Sequence, residues 1–80
     1  MVKTESLLNT ITIFFVPDQK NFEKETTEVI EKIKKEKLIP FKNVVLIFPI
    51  QLENYIIQKF SKIEKIKSLS RSKKETVVEI

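Results

Sequence analysis

The stretch that decides the fold is Thr10-Ile-Thr-Ile-Phe-Phe-Val16, in which every residue is β-branched or aromatic. Such residues favour strands, whose side chains point alternately to the two faces of a sheet. One face of this strand carries Ile11, Ile13 and Phe15, and the other face carries Phe14 near its end. Because both faces end in apolar residues, the sequence predicts a strand at residues 10–16 that is covered on both sides.

Two further strands are predicted. Residues 44–48, Val-Val-Leu-Ile-Phe, contain no polar residue, which is typical of a strand buried on both faces, and we predict this strand at residues 43–48. The last six residues, Glu-Thr-Val-Val-Glu-Ile, predict a short third strand at residues 75–80 with the character of a sheet edge. Residues 1–6 are expected either to extend the first strand or to lie loose.

Two amphipathic helices are predicted between these strands, at residues 19–37 and 49–69. The apolar positions of each helix fall on one arc, and the remaining face is rich in lysine and glutamate. Pro17, Pro40 and Pro49 separate the elements, because proline lacks a backbone N–H and fixes its own φ. The arcs comprise Phe22, Thr26, Val29, Ile30 and Ile33 in the first helix, and Leu52, Tyr55, Ile56, Phe60, Ile63 and Ile66 in the second.

The predicted fold is a single small α/β domain over residues 1–80, with β-α-β-α-β order and a three-stranded, mainly parallel sheet. Strand order 2-1-3 is favoured, because it places residues 10–16 at the centre of the sheet with a helix on each face. In the order 1-2-3 both helices would cover one face, and the other face, with Phe14 or Phe48 on it, would need a partner. A ferredoxin-like α+β arrangement, with one terminal strand antiparallel, is the alternative.

The composition excludes several classes of chemistry. The chain has no histidine, cysteine, glycine or alanine, and Asp18 is its only aspartate. A thiolate or imidazole catalyst, a cysteine-based zinc site and glycine-rich phosphate loops are therefore excluded. We expect no cofactor and no metal, and we predict that the protein is not an enzyme. The abundance of lysine, glutamate and isoleucine is typical of thermophilic proteins and equally of AT-rich genomes.

The apolar runs are far too short to cross a bilayer. Residues 7–16 are interrupted by polar residues, and no small-residue cleavage site follows them. We therefore expect a cytoplasmic protein with no membrane partner.

The net charge of +4 lies entirely in the second half of the chain, because residues 1–40 carry equal numbers of basic and acidic residues. Residues 58–74 contain seven basic residues and only one acidic residue, Glu64. Such clusters bind phosphates by releasing counterions, so a nucleic-acid-binding surface is one hypothesis. A solvated helix end that complements the helix dipole is the favoured interpretation. The hypothetical binding residues are Lys62, Lys65, Arg71, Lys73 and Lys74.

The loop after residues 10–16 is a second candidate site, because it holds Asp18 and Lys20. In the order 2-1-3 this loop lies at the switch point where open α/β sheets bind ligands. A carboxylate there could bind a metal or act as a base. The simpler interpretation is that Asp18 caps the first helix.

The chain has many large apolar residues for its length, including six phenylalanines. Ile57 lies outside the apolar arc of its helix, Phe41 lies in a connection, and Phe14 lies on a strand face that the order 1-2-3 leaves bare. These three residues predict an apolar interaction surface, although single exposed apolar residues are also common. The predicted function is that of a small accessory or interaction protein, a subunit or homo-oligomer that binds a protein partner or itself. A nucleic-acid-binding module is the alternative.

Overall fold

The computed structural model describes residues 1–39, 42–62 and 65–80, which form five strands, two α-helices and one 3-10 turn. The predicted positions Pro40, Phe41 and Ile63 lie outside the described residues. The elements in chain order are β1 (Val2–Leu7), β2 (Thr10–Phe15), α1 (Phe22–Lys37), β3 (Asn43–Pro49), the 3-10 turn (Ile50–Leu52), α2 (Glu53–Ser61), β4 (Ser68–Arg71) and β5 (Glu75–Glu79).

The five strands form one mixed sheet in the order β1-β2-β3-β5-β4. Only β2 and β3 are parallel, and the other three neighbouring pairs are antiparallel. The predicted three-stranded, mainly parallel sheet with order 2-1-3 is therefore wrong. The observed β-β-α-β-α-β-β order also differs from the ferredoxin-like β-α-β-β-α-β order. The last strand, expected at an edge, lies between β3 and β4.

Two hairpins that the sequence analysis missed account for this difference. Residues 1–6, expected as an extension or a loose end, contain most of β1, which turns into β2 at Leu8 and Asn9. Leu8 adopts a φ of 53°, a conformation that glycine would take more easily and that a hairpin signal normally includes. Residues 68–74, predicted as a polar turn, contain β4 and its connection to β5.

The two predicted helices exist, with shorter bounds. α1 begins at Phe22 rather than at residue 19, and its predicted apolar arc is confirmed, with Thr26, Val29 and Ile33 buried. α2 spans Glu53–Ser61 rather than residues 49–69, and residues 50–52 form the 3-10 turn. No described helix is long and apolar enough to cross a membrane.

Both helices pack on the same face of the sheet, so the molecule has two layers. Their buried residues join a single core with the inward side chains of β2, β3 and β5. Phe48 lies in this core, whereas Phe14 points to the opposite face. With both helices on one face, the face that carries Phe14 is left without a covering helix, as expected for the strand order 1-2-3. The core comprises Ile11, Ile13, Phe15, Val29, Ile33, Val44, Leu46, Phe48, Ile56, Phe60, Val78 and Ile80.

Aromatic contacts join the two helices. The ring centroids of Phe22 in α1 and Tyr55 in α2 lie 4.9 Å apart with a tilted geometry. The Nζ of Lys59 lies 5.5 Å from the centroid of the Tyr55 ring. A cation over an aromatic face is favourable, so the exposed Lys59 ammonium is stabilised by the Tyr55 ring outside the core.

Candidate interaction surfaces

The sheet face opposite the helices is not covered by any described element, and we call it the open sheet face. Residues paired across neighbouring strands point to the same face. Phe14 pairs with Ile47, and Ile47 pairs with Val77, so these side chains form a row across β2, β3 and β5. The open sheet face comprises Lys3, Glu5, Leu7, Thr10, Thr12, Phe14, Val16, Asn43, Val45, Ile47, Pro49, Ser68, Ser70, Glu75, Val77 and Glu79.

The centre of the open sheet face is apolar and its sides are polar. The row Phe14–Ile47–Val77 is half-buried by its neighbours alone, and Val16 at the end of β2 is 47% exposed. On the β1 side, Lys3 Nζ lies 3.4 Å from Glu5 Oε1. On the β4 side the outermost residues are serines. An apolar centre with a polar rim is typical of a protein interface.

A small cavity of about 100 Å³ lies on this face, where β2 and β3 end. Pockets for small-molecule ligands usually measure about 300–1,000 Å³, so this cavity is too small for a cofactor. It has room for one apolar side chain of a partner. Its walls are formed by Phe14, Val16, Ile47, Phe48, Pro49, Lys74 and Glu75.

The three residues predicted as an interaction surface do not lie together. Phe14 lies at the centre of the open sheet face. Ile57 lies on α2, in the other layer, and packs half-buried against the core. Phe41 lies outside the described residues. Ile47 and Val77 were not predicted as part of this surface, because the strands that carry them were expected to be either buried on both faces or at an edge.

The five predicted nucleic-acid-binding residues are also separated. Lys62 and Lys65 lie beyond the C-terminus of α2, near the start of β4. Arg71, Lys73 and Lys74 lie at the other end of β4, in and beside its turn to β5. A four-residue strand is about 13 Å long, so the structure divides the predicted cluster between two ends of the molecule.

Arg71 has a structural partner that the sequence analysis did not foresee. Its Nε donates to Glu53 Oε1 at 2.5 Å, and the hydroxyl of Thr76 donates to Glu53 Oε2 at 3.2 Å. Glu53 is buried at the first turn of α2, whereas the Arg71 side chain is 59% exposed. Both carboxylate oxygens are thus bonded, and the contacts tie α2 to the β4–β5 hairpin.

The loop with Asp18 and Lys20 forms a turn. The Asp18 carboxylate accepts from the backbone N–H of Lys20 at 3.1 Å, and the Asp18 N–H donates to the Glu25 carboxylate at 2.9 Å. Asn21 is the N-cap residue of α1 and makes no side-chain cap bond. Because both helices lie on one face, the sheet has no switch-point crevice at this loop.

No family model, no curated protein and no solved structure matches this chain. Within residues 1–39, 42–62 and 65–80, no three acidic, histidine or cysteine side chains gather as metal ligands. The open sheet face, which neither helix covers, is the candidate interaction surface that the described residues offer.

Proposed function

We propose that this protein is a small non-catalytic interaction protein that forms a homodimer through its open sheet face. The observation that carries the proposal is the apolar row Phe14–Ile47–Val77 on a face that neither helix covers. Burying apolar surface contributes about 25 cal/mol per Å², so covering this row against a second sheet is favourable. The absence of cysteine supports action in the cytoplasm, where disulfides are rare.

The order of side chains across the open sheet face favours a second copy of the chain as the partner that covers it. The central strand β3 contributes mainly apolar residues to the face, namely Val45, Ile47 and Pro49. A two-fold axis along β3 would place each of them on the same residue of the second copy. It would also place β2 over β5 of the second copy, so that Phe14 packs on Val77. Two such sheets pack about 10 Å apart.

The same axis keeps like charges apart. Each glutamate of the open sheet face would meet an uncharged residue of the second copy: Glu5 meets Ser68, Glu79 meets Thr12, and Glu75 meets Val16. Lys3, in the outer column, would meet Ser70. Self-association of this face therefore carries little electrostatic repulsion, which supports a copy of the chain over an unrelated partner.

The test is the molar mass in solution, measured by sedimentation equilibrium over a range of concentrations. Wild type is expected to be a dimer, and Ile47→Lys a folded monomer, because two lysines would then meet at the axis. Thr27→Lys, on the exposed side of α1, adds the same charge to the other layer and should remain dimeric. A wild type that stays monomeric at the highest concentration would contradict the proposal.

A mixing experiment tests the axis itself. Ile47→Glu should also be monomeric, but an equimolar mixture with Ile47→Lys should recover the dimer mass, because opposite charges then meet. A mixture that remains monomeric would contradict an axis that passes through residue 47. Circular dichroism of each variant checks that the monomers are folded.

A further inference from the structure

One end of the molecule gathers exposed apolar residues from two separate connections. The backbone N–H of Asn43 donates to the carbonyl of Asn9 in the β1–β2 turn, and that of Lys42 donates to the carbonyl of Ile39 after α1. The turn at Leu8 and the connection at Leu38 are therefore neighbours at the end of the sheet where β2 and β3 begin. Leu7, which precedes the turn, also lies on the open sheet face, whereas the turn at Leu8 and the connection at Leu38 do not belong to the proposed dimer contact.

The apolar residues of this end are strongly exposed. Four of the six exposed large apolar residues in the described chain lie here, with exposures of 75% for Leu7, 93% for Leu8, 83% for Leu38 and 49% for Ile39. Leu8 is notable because it occupies a positive φ, which glycine or asparagine adopts at lower cost. The Leu8 side chain contributes almost no burial to the fold, so it is available for a contact outside the described chain.

Lysines surround these residues. α1 and α2 both end on this side, and five exposed lysines lie in the last turn of α1 or in the connection from α2 to β4. Among the described acids nearby, Glu36 Oε2 lies 3.7 Å from Lys42 Nζ and Glu79 is half-buried, whereas Glu5 and Glu31 are exposed. With neighbouring strands about 4.8 Å apart, the end is about 19 Å wide from β1 to β4. The exposed lysines are Lys34, Lys35, Lys62, Lys65 and Lys67.

We propose that this end docks on the surface of an anionic lipid bilayer. Exposed aliphatic side chains at the tips of turns can enter the boundary between headgroups and acyl chains, while surrounding lysines contact anionic headgroups. A nucleic acid would also attract the lysines, but it is usually held by aromatic stacking, and the exposed large apolar side chains described at this end are all aliphatic. The expectation of no membrane partner rested on the lack of a spanning segment, which surface docking does not require.

The inference does not depend on the proposed dimer, although the two fit together. A two-fold axis along β3 keeps the strand direction, so both copies would present this end on the same side. Two linked contacts with one surface bind more tightly than either alone.

The experiment is co-sedimentation of the purified protein with phosphatidylcholine vesicles, with and without phosphatidylserine. Binding is expected only with phosphatidylserine and should weaken as salt is raised. Lys34→Gln with Lys35→Gln should lower the partition about 25-fold, at roughly fivefold for each lysine. The control pair Lys73→Gln with Lys74→Gln, at the opposite end, removes the same charge and should change it less than about threefold.

Leu8→Asn tests how much the Leu8 side chain contributes to vesicle binding without a loss of folding stability. Asparagine tolerates the positive φ, so the variant should be at least as stable as wild type while its vesicle partition falls roughly tenfold. Equal binding to both vesicle types, or equal losses from the two lysine pairs, would overturn the proposal. So would an unchanged partition of Leu8→Asn together with binding to single-stranded RNA that needs Lys34 and Lys35, since that would mark a nucleic-acid surface.

Discussion

Arg71 in β4 and Glu53 at the start of α2 form an ion pair in which Nε and Oε1 are 2.5 Å apart. The second carboxylate oxygen accepts the hydroxyl proton of Thr76 in β5, so Glu53 has a partner on each of two strands. A carboxylate at the first turn of a helix also complements the helix dipole. The pair therefore fixes where α2 begins relative to the β4–β5 hairpin.

Arg71→Ala is expected to lower the free energy of unfolding by about 1–2 kcal/mol, because it leaves the buried Glu53 carboxylate with Thr76 alone. The loss stays below that of a fully buried pair, since the Arg71 side chain is 59% exposed. Urea denaturation measures it. Lys73→Ala, in the neighbouring turn, is the control and should change stability by less than about 0.5 kcal/mol. Equal effects of the two substitutions would show that the pair contributes nothing.

Leu8→Gly is expected to raise the free energy of unfolding by about 1 kcal/mol, because glycine adopts the φ of 53° without the steric cost that leucine has. The lost side chain is 93% exposed and contributes almost no burial. Thermal and urea unfolding measure the change. Leu7→Gly, one residue earlier in β1, should instead lower stability by about 0.5–1 kcal/mol. A destabilised Leu8→Gly would contradict the turn geometry.

Phe15→Ala and Phe14→Ala should differ sharply although the residues are adjacent. Phe15 is fully buried under the helices, so its truncation should cost about 3–5 kcal/mol and leave much of this small protein unfolded. Phe14 is half-buried on the open sheet face, so its truncation should leave a folded protein with weaker self-association. Circular dichroism and molar mass distinguish the two results. A reversed order of stability would mean that the helices cover the other face.

Hydrogen exchange should show β5 as an interior strand. β5 has hydrogen-bonded neighbours on both sides, so its amides should be protected as strongly as those of β3. β4 is at the edge, and its outward amides should exchange faster. If alternate amides of residues 75–79 exchanged as fast as those of β4, the sheet order would be wrong.

Much of the local structure follows from the sequence. The arc of α1 appears as predicted because helical periodicity is a local property, and Thr26, Val29 and Ile33 all recur at helical spacing. The strands at β2 and β3 appear within one residue of their predicted ends, because runs of β-branched and apolar residues favour few alternatives. These runs also determine that β2 and β3 supply the core.

The two outer strands could not be predicted with the same rules. β1 alternates Val2, Thr4 and Ser6 with Lys3 and Glu5, a weak pattern whose hairpin lacks the usual glycine. β4 is short and polar, and only its pairing with β5 makes it a strand. Edge strands bury little surface, so their sequences carry little hydrophobic signal.

The sequence by itself determined the buried strands, the first helix and the chemistry that the missing residue types exclude. Only the tertiary structure decided which sheet face is covered. The apolar pattern of residues 10–16 fits either one helix on each face or a bare face with Phe14 on it. Long-range strand pairing left the face with Phe14 bare. Antiparallel hairpins complete the sheet at both edges, and both helices pack over the other face. The same pairing divided the lysines and brought the β1–β2 turn against the start of β3.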